Sequence, residues 1–500
     1  MSRDPFGGVR PRSLDEALAI IERLVATIAD QQEQLIALEA RIVEQRGEIT
    51  ALRTQVAALT ERLEQTAQNS SRPPSTDPPR VERPRRPASG RRPGAQPGHA
   101  AQARVLVPEG EVDAVVPGEP RQCRRCGARL RGSDPTPRRH QVTEVPPVRP
   151  TITEYQLHTL ACAQCGGATA PSWPVGVPRG VLGPRLVAMV AVCAGVYHLS
   201  KRTTAGLLAD LFHVQVAVGT VAACEQTASA ALAAPVAAAQ AYVQQAPVVH
   251  ADETGWRERR QQAWLWVAVT TRVTVFLIHR RRGAVAARVL LGQSTAGLIS
   301  DRWSAYARWP LVRRQLCWAH RRREFVAFTE RGDAAARLGR AFLRDTRQMF
   351  AGWHRVRDGT WTRAQFQTAM QPLRRRGERR LRRGAVCRHA KTAATCRDLV
   401  ALAPALWTFV DVPGVEPTNN AAERALRPAV LWRKGCWGTH SAAGSRFVER
   451  ILTVAATLKQ QHRTIADYVT QACVAALHGD PAPSLLPDSP HSPLFEPAAA

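Results

Sequence analysis

The stretch "VVHADETGW", residues 248–256, indicates the fold of the largest part of the chain. Its apolar residues predict a strand that ends in Asp252 and is followed by a glycine-containing turn. A second predicted strand, in "AGLISDRWSAY" (residues 296–306), also ends in an acid, Asp301. An acid in such a position is either a turn residue or a metal ligand.

The segments around these two strands predict one mixed sheet. Residues 263–270 and 273–279 form a predicted strand hairpin, residues 284–292 a helix, and residues 313–320 a fifth strand ending at His320. A ribonuclease H-like α/β sheet has the same order along the chain: one strand, two hairpin strands, a helix and two further strands. In that architecture acids at the tips of neighbouring strands lie side by side, and a third acid comes from a later helix.

Glu423 is the candidate for the third acid. Clustered carboxylates repel one another unless a divalent cation lies among them, and oxygen ligands suit Mg²⁺ or Mn²⁺. Two such ions activate a water or 3′-hydroxyl and stabilise the leaving oxygen of a phosphodiester. Asp252, Asp301 and Glu423 are therefore the predicted catalytic magnesium ligands. The alternative for Glu423 is a capping box with Asn420 as the helix N-cap.

Other residues near the predicted site have two interpretations each. Glu253 adjoins Asp252 but points to the opposite face of a strand, so it is not expected to bind metal. His320 contacts a phosphate or is a structural neighbour, and Asn419 and Asn420 position DNA or cap a helix.

The charge of the chain indicates a polyanionic partner. It has 69 basic and 41 acidic residues, a net charge of +28, which favours nucleic acid over a merely basic protein. The predicted DNA contacts are Lys201, Arg202, Asn419, Asn420, Arg424, Arg427, Arg433 and Lys434. No stretch is long and apolar enough for a bilayer crossing or a signal peptide, so we expect a cytoplasmic, nucleoid-associated protein without a membrane partner.

Residues 13–66 predict a coiled-coil arm. Apolar residues recur every seven positions from Leu14 to Leu63 and form one seam of the predicted coiled coil. A second seam lies three positions further along the chain, from Ala17. Mostly Ile on one seam and Leu on the other favours a parallel pair of helices. The arm therefore predicts a homodimer or higher oligomer, and the alternative is a long helix that folds back on its own protein.

Residues 105–172 predict a zinc-ribbon-like module. It holds "CRRC" and "CAQC" with 35 residues between them, and Gly follows each pair. Four thiolates suit tetrahedral structural zinc, whereas a redox pair is the weaker alternative. The predicted zinc ligands are Cys123, Cys126, Cys162 and Cys165.

The remaining segments complete a multidomain α+β organisation. Residues 67–104 are a basic linker rich in Pro, Arg and Gly. Residues 182–245 are helical, with a break at 216–219 and a second helix from Thr220, which suits a helix-turn-helix-like DNA-binding region or a plain helical hairpin. Residues 246–460 form the predicted catalytic domain with a helical insertion at about 325–410. A C-terminal helix (461–478) and a disordered tail (479–500) follow.

Several blocks of the sequence together resemble the transposases of the insertion sequence 66 family. They are "HADETGWR", "SDRWSAY", "QLCWAHRRREF" and "PTNNAAERALRPAVLWRKGCWGTHSAAGSRFVERILT", with "NSSRPPSTD", "RRPGAQPGH", the four cysteines and the heptads before them. The resemblance covers nearly the whole chain, in order. It implies a DDE-type triad of Asp252, Asp301 and Glu423, a leucine-zipper-like start, a zinc-finger-like module and a helix-turn-helix-like region.

The function expected from this resemblance is bacterial DNA transposition. The protein would bind the terminal inverted repeats of an element, cleave the 3′ ends and transfer them to target DNA, and small accessory proteins of the same element are possible partners. Two alternatives stay open: a metal-dependent nuclease or resolvase without strand transfer, and a non-catalytic, zinc-containing DNA-binding regulator.

Overall fold

The computed structural model describes residues 13–70, 77, 94, 105–293 and 297–487. Most of the predicted linker and the end of the predicted tail, from residue 488, lie outside the described residues. The chain divides into two compact units. The first comprises Met1–Val81, His320–Gln348 and Arg379–Arg397, and the second comprises Glu82–Ala319, Met349–Glu378 and Asp398–Ala500.

The first unit contains one long helix, α1 (Leu14–Leu63), in which no residue is buried. The Ser13 hydroxyl caps it by accepting from the Glu16 N–H at 3.2 Å. Glu61, near its C-terminal end, pairs with Arg331 at 2.7 Å and with Lys391 at 3.0 Å. These ion pairs tie the C-terminal end of the helix to its own chain, and the apolar residues of the heptad seam remain exposed along its length.

Helices also fill the predicted insertion. They are α7 (Trp318–Thr329), α8 (Gly332–Arg357), α9 (Arg363–Gly384), α10 (Ala390–Ala401) and α11 (Thr408–Asp411). Within the first unit, Phe325 stacks on Phe342 with ring centroids 4.4 Å apart. Helix α14 (Ile465–His478) belongs to the second unit.

The second unit begins with the cysteine module, in which β1 (Leu160–Ala161) and β2 (Ala168–Thr169) form a short ladder. Four helices follow: α2 (Pro184–Gly195), α3 (Lys201–Phe212), α4 (Val218–Ala231) and α5 (Ala233–Gln245). The break between α3 and α4 lies at residues 213–217, earlier than predicted, because His213 ends α3 in the left-handed conformation (φ 54°). Helices α3 and α4 are compatible both with a helix-turn-helix-like region and with a plain helical hairpin.

A five-stranded mixed sheet forms the centre of the second unit. Its strands are β3 (Val248–Glu258), β4 (Gln261–Val269), β5 (Thr274–His279), β6 (Gly297–Ser300) and β7 (Arg314–Leu316), in the order β5-β4-β3-β6-β7. The β3–β4 and β4–β5 pairs are antiparallel, whereas β3–β6 and β6–β7 are parallel. Helix α6 (Ala284–Leu291) connects β5 to β6.

Two strand boundaries differ from the sequence prediction. Strand β3 does not end at Asp252 but continues to Glu258, because β4 pairs with it along that whole length. Strand β7 ends at Leu316 rather than His320, because the buried Trp318 starts α7 and its indole donates to the Leu406 carbonyl at 2.7 Å. His320 therefore lies within a helix and does not end a strand.

Helix α13 (Ala442–Gln460) covers the β5 edge of the sheet. The hydroxyls of Thr453 and Thr457, one helical turn apart, accept from the backbone N–H groups of Phe276 (3.0 Å) and Thr274 (3.1 Å). Glu449, another turn back, accepts from the Ile278 N–H. These side chains replace a sixth strand and satisfy edge groups that would otherwise pair with another chain.

Each face of the sheet packs against its own apolar core. Val249 and Ala251 of β3 belong to the core shared with α2, α4, α6 and α13. Trp256 belongs to the core shared with α12 (Asn420–Cys436). Among the described residues, none of the helices is both long and apolar enough to cross a membrane.

Candidate active site

The alternation of side chains along β3 separates Asp252 from Glu253. Odd-numbered residues face the core of Val249 and Ala251, and even-numbered residues face the side of Trp256. Asp252 stands opposite Val267 of β4, which packs in the same core as Ala422 of α12. Asp252 therefore points to the face of the sheet on which α12, with Glu423, lies.

Asp252 lies in the middle of β3, not at its end as predicted. Parallel pairing of β3 with β6 stops at His250, two residues before it. Asp252 is therefore at the edge of the parallel part of the sheet although its own strand continues. Its Oδ1 accepts the Glu253 N–H at 2.9 Å, which fixes the carboxyl against the strand.

Asp301 directly follows the last residue of β6. Its Oδ1 accepts the Trp303 N–H at 2.8 Å, and its backbone carbonyl accepts from the buried guanidinium of Arg314 at 2.9 Å. The parallel strands β3 and β6 bring Asp252 and Asp301 to the same edge of the sheet. A turn held by two such bonds keeps Asp301 in one position.

Glu423 lies in the first turn of α12, and Asn419, not Asn420, is the N-cap of that helix. Asn420 is the first helical residue, so Glu423 stands fourth in the helix and not at the third position that a capping box requires. The Asn419 side chain makes no capping bond. The capping alternative for Glu423 is therefore wrong.

Asn419 instead connects α12 to β3. It is completely buried, and its amide nitrogen donates to the Ala251 carbonyl at 2.8 Å. Its Oδ1 lies 3.3 Å from Nδ1 of His250, and its N–H donates to Cys317 Sγ at 3.2 Å. This position does not suit the DNA contact predicted for Asn419, but it fixes the start of α12 beside Asp252. Asn420 is exposed.

The carboxylates of this region influence one another. Burial raises the pKa of Asp252 well above its ordinary value, and the nearby carboxylates of Glu253, Asp301 and Glu423 raise it further, against a lowering by the Glu253 N–H. Part of Asp252 still reaches solvent. The structure thus brings the three predicted acids into one electrostatic neighbourhood. Among the described residues, however, their oxygens do not all lie within 4.8 Å of one another.

Glu253 has a separate set of partners on the other face of β3. It accepts from the Tyr306 hydroxyl at 2.8 Å and pairs with Arg282 at 3.0 Å, and its side chain is almost fully buried. Burial, and then the charge of Asp301, raise its pKa. The guanidinium of Arg282 also lies over the rings of Trp264 (4.5 Å) and Trp303 (4.0 Å).

These contacts identify residues that the sequence interpretation missed. Tyr306 is completely buried, and burial followed by the charges of Glu253, Asp252 and Asp301 raises its pKa well above the ordinary value. His250 is also buried, and burial lowers its pKa to about 4, so that it is neutral. Arg282 and Tyr306 hold the Glu253 side chain, and His250 contacts the Asn419 side chain. No local motif marks them, because their role depends on contacts between distant segments.

The predicted DNA-contacting cations fall into two groups. Lys201 forms an ion pair with Glu225 of α4, and Arg433 donates to Thr254 at 3.2 Å and to the Gly255 carbonyl, so both have partners within the protein. The other four cations are exposed: Arg202, Arg424, Arg427 and Lys434. Three of these four lie on α12, along the helix that carries Glu423.

The two cysteine pairs form matching turns. The Gly127 N–H donates to the Cys123 carbonyl at 2.9 Å, and the Gly166 N–H donates to the Cys162 carbonyl at 2.8 Å. Both glycines have positive φ, 74° and 68°. Backbone N–H groups lower the pKa of Cys123 and of Cys162. Among the described residues, no three of the four predicted zinc ligands lie within 4.8 Å of one another.

Comparison with known families agrees with the sequence resemblance. The model described as the transposase IS66 family matches residues 179–446, which include the helical region, the five-stranded sheet and α12. A family of unknown function (DUF6444) matches residues 9–105, which include α1. No curated protein matches the chain. Because the first match spans more than half of the chain, the protein belongs to the IS66 family of transposases.

Proposed function

We propose that the protein is a DNA transposase in which Asp252, Asp301 and Glu423 bind two divalent cations and direct cleavage and joining of phosphodiesters. The observation that supports this most strongly is electrostatic. Asp301 and Glu423 lie far from Asp252 in the sequence, yet both raise its pKa. Carboxylates placed together in this way destabilise the charged state unless a cation neutralises them.

The donor set fits Mg²⁺ or Mn²⁺. The three candidate ligands are carboxylates, which hard divalent cations prefer, and Glu253 is withdrawn into its pair with Arg282. The strand order β5-β4-β3-β6-β7 supports a ribonuclease H-like core. Bound ions would activate a water or a 3′-hydroxyl and stabilise the leaving oxygen.

The protein's own residues orient the three acids. Asn419 fixes the first turn of α12 against the β3 carbonyl next to Asp252. Arg314 and the Trp303 N–H hold the turn that carries Asp301. Arg424 and Arg427, exposed on α12, would bind the phosphates that flank the reacting one.

The cysteine module supports a structural zinc site in this proposal. Each knuckle already has the tight turn and the N–H groups directed at its first sulfur, which stabilise a thiolate. A zinc ion would then draw the two knuckles together, because metal binding is coupled to folding in such modules. The module would help to bind DNA, as would the pair of helices α3 and α4.

The test is an assay of strand cleavage and strand transfer on DNA that carries the element ends, with Mg²⁺. Asp252→Asn, Asp301→Asn and Glu423→Gln should each lower both activities at least about 100-fold, since each removes a metal ligand. Glu416→Gln is the matched control, because Glu416 precedes α12 by a few residues and is not one of the proposed ligands.

Three results would contradict parts of the proposal. Full activity in any one of the three variants would remove that acid from the set of ligands. Cleavage without joined products would indicate a nuclease or resolvase. DNA binding with no cleavage by the wild-type protein at any Mg²⁺ or Mn²⁺ concentration would indicate a regulator.

A further inference from the structure

Trp437 of the second unit is the most exposed tryptophan among the described residues. Trp437 is 77% exposed, compared with 48% for Trp173, the only other tryptophan that is largely exposed among the described residues. It follows Lys434 and ends α12. A single exposed apolar ring is common on protein surfaces, so the role of Trp437 depends on its backbone and its surroundings.

The backbone holds Trp437 in place. It has the left-handed conformation (φ 60°), which is unfavourable for a residue with a side chain. The next residue, Gly438 (φ 114°), lies so close to β3 that a Cβ there would be 2.2 Å from the Arg257 carbonyl oxygen. The Thr439 N–H donates to the same carbonyl at 2.9 Å, and the Arg259 N–H donates to Thr439 at 2.6 Å. The indole is thus presented on a fixed turn.

A surface pocket of about 320 Å³ adjoins the indole. This volume lies within the range of small-ligand sites. Its lining residues are Gly255, Trp256, Arg257, Gln262, Arg433, Lys434 and Trp437. Arg257 and Lys434 are exposed cations.

The surroundings of the pocket are also positively charged. Arg259 and Arg260, in the turn between β3 and β4, are exposed. The one acid of that hairpin end, Glu258, is buried and is paired with Arg280 at 2.6 Å. An exposed aromatic ring with several cations, and no exposed carboxylate in the pocket lining, is the combination that binds single-stranded nucleic acid.

We propose that Trp437 and this pocket bind one unpaired nucleotide of the DNA substrate. Its base stacks on the indole, and its flanking phosphates pair with Arg257 and Lys434. This inference rests on the proposed function in taking DNA as the substrate. Arg433 lies ten positions after Glu423 on α12, about 15 Å along the helix, so the nucleotide lies beyond the reacting phosphodiester.

The experiment measures binding of the full-length, zinc-loaded protein to two fluorescent DNAs in a buffer without Mg²⁺ or Mn²⁺. One is a blunt duplex, and the other carries an unpaired extension of three nucleotides with 2-aminopurine in it. Trp437→Ala should weaken binding of the extended DNA by about fivefold to a hundredfold, the range expected for one stacked base. Binding of the blunt DNA should change by less than about twofold. Trp437→Phe should keep most of the affinity and of the 2-aminopurine quenching.

Two further variants separate binding from folding. Trp437→Gly removes the ring and relieves the left-handed strain, so its melting temperature should equal or exceed that of the wild type while its affinity falls as in Trp437→Ala. Trp173→Ala is the matched control and should bind both DNAs like the wild type.

The proposal is overturned if Trp437→Ala binds the extended DNA as tightly as the wild type, or if its affinity for both DNAs falls by the same factor. It is also overturned if the substitution changes the mass of the particle in solution, because Trp437 would then contact a second copy. The measurement needs neither Mg²⁺ or Mn²⁺ nor the three acids. Failure of the catalytic proposal would therefore leave this result unchanged, and the reverse also holds.

Discussion

Asp252 lies among three other carboxylates, and this sets how its charge responds to pH. Its pKa is raised above the ordinary value of 3.8. A carboxyl with a raised pKa in the folded state contributes stability that is fully present below the unfolded value and is lost as pH rises through the folded value. The raised pKa of Asp252 therefore makes the metal-free fold less stable at neutral pH than at low pH.

We expect Asp252→Asn to raise the melting temperature of the metal-free protein at neutral pH. The difference from the wild type should shrink as pH falls towards 3.8, because the wild-type carboxyl is then protonated in both states. Saturating Mg²⁺ should stabilise the wild type, by about 2.7 kcal/mol at one hundred times its dissociation constant, and the variant much less. Thermal melts with and without Mg²⁺ check this, and a variant that melts lower at neutral pH would contradict it.

The three acids could be selected from the sequence. Asp252 and Asp301 follow apolar runs that predict strands, and Glu423 lies on a later predicted helix. Asn419, Arg282 and Tyr306 could not be assigned their roles. Asn419 was expected to contact DNA or to cap a helix, and its actual partner is a backbone carbonyl of β3. Such a partner is fixed only when segments more than a hundred residues apart pack together.

At the scale of elements, α12 and β3 form the unit that positions the acids. Asn419→Ala would leave the Ala251 carbonyl unpaired in the core, at a cost of about 1–3 kcal/mol in the free energy of unfolding. The rate of cleavage should fall because Glu423 is no longer held beside Asp252, whereas affinity for DNA should change little. Denaturant unfolding and steady-state cleavage measure the two effects.

Asn420→Ala is the matched control for this prediction. Asn420 is the next residue along the chain and is exposed, so its replacement should change stability by less than about 0.5 kcal/mol. Equal losses of activity in the two variants would show that Asn419 does not position Glu423.

The succession of strands and helix along the chain was predictable from the sequence, but the ends of the strands were not. The pattern of apolar runs gave the hairpin, the helix and the two later strands in their order. The glycine in "DETGW" indicated a turn after Asp252, yet β4 pairs with β3 as far as Glu258. Pairing with a neighbouring strand outweighs a local turn preference, because it satisfies the backbone groups on both strands.

At the scale of the whole molecule, the exposed seam of α1 predicts association of two chains. Ile28 (53% exposed) and Ile42 (47%) occupy the same heptad position, and a partner helix would bury both. We expect the wild type to sediment at no less than twice the chain mass of 54.8 kDa. The double substitution Ile28→Asp, Ile42→Asp should give monomers, because it places charges in the seam.

Ile36→Asp provides the control for the seam. Ile36 is also exposed on α1 (67%) but follows the seam position Leu35 by one residue, so this variant should remain associated. A wild-type protein that is monomeric at micromolar concentration would contradict a self-associating arm.

The central claim is that acids from β3, the end of β6 and α12 together bind divalent cations. The most direct measurement is anomalous diffraction at the manganese edge from crystals of the full-length protein with DNA and Mn²⁺. We expect manganese peaks about 2.1–2.2 Å from carboxylate oxygens of Asp252, Asp301 and Glu423. Manganese bound without Glu423, or no peak beside Asp252, would contradict it.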